Sequence, residues 1–257
     1  MRTHSVVFAA VLAGCGSSEA APAPIPLADA AVETATVADT GPDSEEVSTD
    51  AGVKCAPQPI TGWTPKWYPP TGSYQGRCTA AEIHEGILAC FSPTATEATC
   101  KAAREKYPDC AACLVTDAYA TSTGALVQYT DPLQLIDRNV GGCFALKLGD
   151  SSKDGCGAKV RAAVDCGLQS CGKACPYDPV KGFAALNGCQ KKAFADPTLC
   201  KAYFDAADKC VVDNGDKVSD CSFYLTGEPV NDIFERYGNL FCGTAPGGDA
   251  GTDAKGD

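Results

Sequence analysis

Apolar residues through the middle of this chain recur every three or four positions, the spacing of amphipathic helices. Ile83, Ile87 and Phe91 follow Thr79-Ala80-Ala81-Glu82, whose first and last residues read as a capping box. Thr94-Ala95-Thr96-Glu97 reads as a second box, leading through Cys100 and Ala103 to Tyr107, with Pro108 as the stop. Asp154 is placed to cap a third helix that carries Cys156, Val160, Ala163, Val164 and Leu168 on one face. Asp196-Pro197 reads as a cap with proline at the first helical position, ahead of Leu199, Tyr203, Phe204 and Ala207. Behind Pro229, Val230, Ile233, Phe234, Tyr237 and Phe241 draw a last stripe. Strand signals are thinner: 125–129 and 144–148 are short apolar runs that fit either a hairpin or continued helix. The pattern predicts a mostly α fold.

Periodicity vanishes at both ends. Residues 16–54 are rich in Ala, Pro, Thr and Asp, with eight carboxylates, a single Lys and no aromatic residue. Such a segment cannot bury enough apolar surface to offset its ordering entropy, so it reads as a disordered acidic tether. Residues 243–257, with five Gly and three Asp, read as a disordered tail. The formal charge of −11 therefore resides mainly outside the core. Between them, 55–242 carries 21 acidic and 18 basic residues, a balance of −3. Nucleic-acid binding needs a basic stripe, so that class of partner is not expected.

At the N-terminus, Arg2 precedes the apolar stretch Val6–Leu12, which is far below the ~20 residues a membrane span needs. A charged start, a short apolar core and a small-residue cleavage site mark an export signal. Leu12-Ala13-Gly14-Cys15 looks like the lipobox of a bacterial lipoprotein, which makes 1–14 the signal peptide and Cys15 the lipidation site. The competing reading is a plain secretory signal cut after Ala20 or Ala21. Parity favours the first: seventeen cysteines are odd, and lipidating Cys15 leaves sixteen, enough for eight bridges.

Those sixteen matter because the core is poor in large apolar side chains. Leu, Ile, Val and Phe number 35 of the 188 residues in 55–242, a fraction at which ordinary globules collapse poorly. Disulfides, typically ~2–4 kcal/mol each, supply what the apolar core lacks. Cys100–Cys110, Cys156–Cys166 and Cys200–Cys210 each enclose nine residues, most of them helix formers. Cys90, Cys143 and Cys189 lie ahead of these units, and Cys113, Cys171 and Cys221 behind them. Ten helical residues rise about 15 Å, whereas bridged Cα atoms lie about 4.4–6.8 Å apart. The two cysteines of a unit therefore cannot pair with each other and are expected to staple different neighbours. With Cys55, Cys78, Cys175 and Cys242 added, this predicts a disulfide-stapled bundle of short helices.

The tether, the helix-borne cysteines, Cys110-Ala111-Ala112-Cys113-Leu114 and Asn139-Val140-Gly141-Gly142-Cys143 together resemble the cysteine-rich predicted lipoproteins of myxobacteria. The resemblance covers roughly residues 78–210. That group has no assigned activity, so it implies a surface lipoprotein and supplies neither catalytic residues nor a ligand.

Several residues invite chemistry. Cys110 and Cys113 have redox-pair spacing, but they follow a proline-stopped helix and sit among fourteen other core cysteines, so structural bridges are expected. Leu114 stands where haem attachment needs His. Cys166, Cys171 and Cys175 miss ferredoxin spacing. His84, the lone histidine after cleavage, lies between Glu82 and Glu85, as a general base would or as a solvated helix face would. Asp213-Asn214-Gly215-Asp216, with Asp220 beyond, lacks the calcium-loop pattern and reads as a turn. Both tryptophans, Trp63 and Trp67, fall with Tyr68 and Tyr74 in a segment punctuated by Pro57, Pro59, Pro65, Pro69 and Pro70. Such a strap either presents rings to a protein or glycan or folds back to cover the bundle. No catalytic residue, metal or cofactor is expected. The chain reads as a lipid-anchored protein of the bacterial envelope, with the outer membrane as the expected membrane. Its expected role is non-catalytic binding or structure, and the alternative is an exported hydrolase or thiol–disulfide exchanger.

Overall fold

The structure, a computed structural model, describes residues 55–130, 135–175, 184–221 and 229–245. Cys15, the signal 1–14, the tether and most of the tail lie outside the described residues. Eight α-helices and one small sheet make up the described fold. No helix among them is long and apolar enough to cross a membrane.

Helix α1 (Ala80–Phe91) starts at the expected box: Thr79 accepts from the Glu82 amide and Glu82 from the Thr79 amide. Its Ile83 and Ile87 are buried. Helix α2 (Glu97–Lys106) is capped two residues later than expected, by a reciprocal box between Thr96 and Thr99. The Cys90–Cys100 bridge closes the α1–α2 turn, which occupies Ser92–Ala95. Pro108 ends nothing by itself: it opens helix α3 (Pro108–Leu114) at its first turn, where a missing N–H costs little. The first cysteine unit is therefore split between two helices.

Strands β1 (Val115–Asp117), β2 (Leu126–Tyr129) and β3 (Leu135–Arg138) form a sheet in that order, β1 parallel and β3 antiparallel to β2. The short β1–β2 connection is pinned by buried Asn139, whose amide donates to Thr123 Oγ1 and the Gly124 carbonyl, both at 2.8 Å. Asn139 also caps helix α4 (Val140–Leu148) through Gly142 N–H. Residues 144–148 are thus helical, and the antiparallel partner of β2 is β3 instead.

Helix α5 (Cys156–Cys171) has Gly155, not Asp154, at its N-cap. The Ser152–Gly155 turn, closed by Gly155 N–H to Ser152 O, shifts the start by one residue. Helix α6 (Ala184–Ala195) leads into a turn where Asp196 accepts from Thr198 N and Oγ1, so this aspartate caps a turn. Helix α7 (Lys201–Val218) starts only after Cys200. Within it, Asp213–Asp216 are helical: Asn214 donates to the Cys210 carbonyl, and the helix runs through the expected turn. Cys156–Cys210 and Cys166–Cys200 join α5 to α7 in reversed order, so the two helices run antiparallel. The expectation of different neighbours fails here, because equal spacing on antiparallel helices lets both ends match one partner. Helix α8 (Val230–Cys242) buries Ile233, Phe234, Tyr237, Leu240 and Phe241 against α1 and α3. All sixteen core cysteines are paired, in a mostly α, disulfide-stapled fold.

Candidate functional site

The proline-punctuated strap, residues 55–78, runs across the body and is bonded to it along its length. Cys55 is bridged to Cys175. Gln58 exchanges hydrogen bonds with Ser170, at 2.8 Å to its carbonyl and 2.9 Å from its hydroxyl. Pro69 and Thr71 bond Thr123 through the backbone. From Tyr74 to Cys78 the amides donate to the carbonyls of Leu240–Gly243 at the end of α8. Tyr74 enters this run with φ +47°, a left-handed conformation uncommon outside glycine.

These bonds place the four strap aromatics, all half-buried. Trp63 packs edge-on against Tyr203, centroids 5.5 Å apart. Trp67 donates its indole N–H to the Ser151 carbonyl at 2.8 Å. Tyr74 packs against the core formed by α1, α4 and α8. Tyr68 packs edge-on with Tyr119, which is 55 % exposed. Tyr119 in turn meets Tyr129 at 6.1 Å.

Beneath that ladder lies a buried polar cluster that sequence reading missed. Arg161, 3 % exposed, donates to Asp165 at 2.7 Å and to the Ala118 carbonyl at 2.9 Å. Tyr129 donates its hydroxyl to the other Asp165 oxygen at 2.9 Å, and Arg161 lies over its ring. Burial pushes the Asp165 carboxyl up from its ordinary range, against the pull of Arg161 and Tyr129. Burial also raises the Tyr129 phenol. The i,i+4 spacing of Arg161 and Asp165 was visible, but its burial depends on the sheet that covers it.

The other sequence candidates are dispersed. His84 is exposed, and its Nδ1 lies 2.8 Å from Glu235 of α8, not from either flanking glutamate. Glu82 serves the α1 cap, and Glu85 binds Lys106 and Tyr107. Cys110 pairs with Cys78 and Cys113 with Cys242, so the two are not a redox pair. Cys166, Cys171 and Cys175 bond to Cys200, Cys189 and Cys55 and offer no thiolate ligands. Asp213 pairs with Lys209 and Asp220 with Lys147. No family model, curated protein or solved structure matches the chain.

Proposed function

We propose that this protein is a lipid-anchored module of the bacterial envelope that braces or docks and does not catalyse. Its acyl group, palmitate or a similar chain, sits on Cys15 in the outer membrane, and the acidic stretch 16–54 links it to the folded body. The observation that carries this reading is the complete pairing of the sixteen cysteines in 55–242, which leaves Cys15 as the odd one. Disulfides persist in oxidising, extracytoplasmic compartments, and eight of them fit such an environment. The resemblance to the myxobacterial lipoproteins points the same way. Tyr119, exposed beside Tyr68, is the aromatic best placed to meet a protein or glycan.

The test is intact-mass analysis of membrane-extracted full chain. Diacyl or triacyl modification at Cys15 is the expected result, with Cys15→Ser moving the protein to the soluble fraction without changing its melting. A mature N-terminus at Ala21 or Pro22 without lipid would overturn the reading.

A further inference from the structure

Three of the sixteen core cysteines are half-buried, Cys55, Cys113 and Cys156, and the other thirteen are buried. Each half-buried cysteine is bonded to a buried one: Cys175, Cys242 and Cys210 respectively. An external thiolate is expected to reach the less buried cysteine of a bridge first, and the more buried one then departs as the leaving thiolate. What becomes of that thiolate depends on its neighbours. The Sγ atoms of Cys55, Cys175 and Cys189 all lie within 4.8 Å of one another, and Cys189 is bonded to Cys171. Among the described residues no other three cysteine sulfurs gather so closely. A second disulfide therefore stands beside the sulfur released by attack at Cys55, in the one group of three mutually close sulfurs among the described residues.

We propose that Cys55 is a thiol-exchange site that takes a small soluble thiol in covalent linkage while the displaced sulfur is re-bridged internally. In the first step the incoming thiolate bonds to Cys55 Sγ, and the Cys55–Cys175 bond breaks with its electron pair on Cys175. In the second, the Cys175 thiolate bonds to Cys189 Sγ, and the Cys171–Cys189 bond breaks with its pair on Cys171. Cys171 takes the proton given up by the incoming thiol. One thiol is consumed and one appears, so neither oxidant nor reductant is required. The second step is intramolecular and is favoured by proximity over attack of the Cys175 thiolate on any external disulfide. It also removes Cys175, the nucleophile best placed to expel the adduct. Besides the Cys55–Cys175 bridge, the strap is held here by the Gln58–Ser170 hydrogen bonds.

The oxidised full chain is incubated with reduced glutathione at mildly alkaline pH, quenched with acid, alkylated in denaturant and peptide-mapped. The expected map has glutathione on Cys55, the alkyl label on Cys171 and a new Cys175–Cys189 bridge, all ahead of any adduct at Cys113 or Cys156. In the double variant Cys171→Ala with Cys189→Ala, the label moves to Cys175 and the yield of Cys55 adduct falls. Should that variant not fold, the map of the unaltered protein decides alone. Label at Cys175 in the unaltered protein, no adduct at Cys55, or equal rates at Cys113 and Cys156 would each overturn the proposal.

Discussion

Adding one methyl group at Gly157 should cost the fold more than helix propensity returns. Helices α4 and α5 cross with Gly141 and Gly157 in mutual contact. A Cβ at Gly157 would fall 2.6 Å from the Gly141 carbonyl oxygen and 2.8 Å from Ala145 Cβ. Comfortable carbon contacts begin near 3.5 Å, so the helices would have to part by about 0.7 Å to relieve the 2.8 Å approach to Ala145 Cβ, and the Gly141 oxygen adds to this. The obstructing oxygen is backbone and cannot rotate away. Separation is also resisted by Cys143–Cys221 and Cys156–Cys210, which tie α4 to the turn after α7 and α5 to α7 itself. Overpacking of this kind costs ~1–3 kcal/mol, and alanine over glycine in a helix returns ~0.5–1 kcal/mol. The mid-range net loss is ~1 kcal/mol, or roughly 2–4 °C in Tm for a domain of this size. Gly188→Ala provides the opposite sign. Gly188 is exposed within α6 with nothing within 4 Å of an added Cβ, so stability should rise by up to ~1 kcal/mol. Both variants are measured by thermal and guanidinium unfolding of the non-reduced protein. A Gly157→Ala protein as stable as the parent, or a Gly188→Ala change of the same sign, would refute the packing argument.

Two further outcomes follow from the strap and the buried cluster. Trp63→Ala should destabilise by ~2 kcal/mol, about half the cost of truncating a fully buried tryptophan, because the ring is half-buried on Tyr203. Partial acrylamide quenching of the indoles in the parent should accompany it, and unhindered quenching with unchanged melting would contradict the packing. Asp165 holds its proton more tightly folded than unfolded, so the stability this brings is present below the unfolded value, ~3.9, and is lost as pH rises through the raised folded value. Asp165→Asn does not titrate. The unaltered protein should therefore lose stability relative to that variant across this window, and a flat or rising difference in pH-dependent unfolding would overturn the assignment.

Much of the helical content is legible along the chain because capping and periodicity are local. Thr79 with Glu82 starts α1 where a box requires it, and the stripe behind Pro229 is α8. Helix starts differ from the expectation at Thr94, Asp154 and Asp196 because each of these residues has a neighbour that competes for the turn. Asp213–Asp216 is helical for a related reason: the turn signal at Asn214-Gly215 is a preference worth about 1 kcal/mol, and α7, stapled to α5 at two points, outweighs it.

The cysteines divide the same way. Helical rise alone forbids Cys156–Cys166 and Cys200–Cys210 pairs, and parity alone sets Cys15 apart from the sixteen. Which sulfurs meet is a matter of helix direction and packing, and no spacing encodes that α5 and α7 run antiparallel. The same holds for the strap and for Arg161 with Asp165. Composition identifies a proline-rich aromatic segment, and i,i+4 spacing identifies an ion pair. Only the tertiary structure lays Trp63 on Tyr203 and covers Arg161 with Tyr129, because burial depends on contacts between residues far apart in the chain.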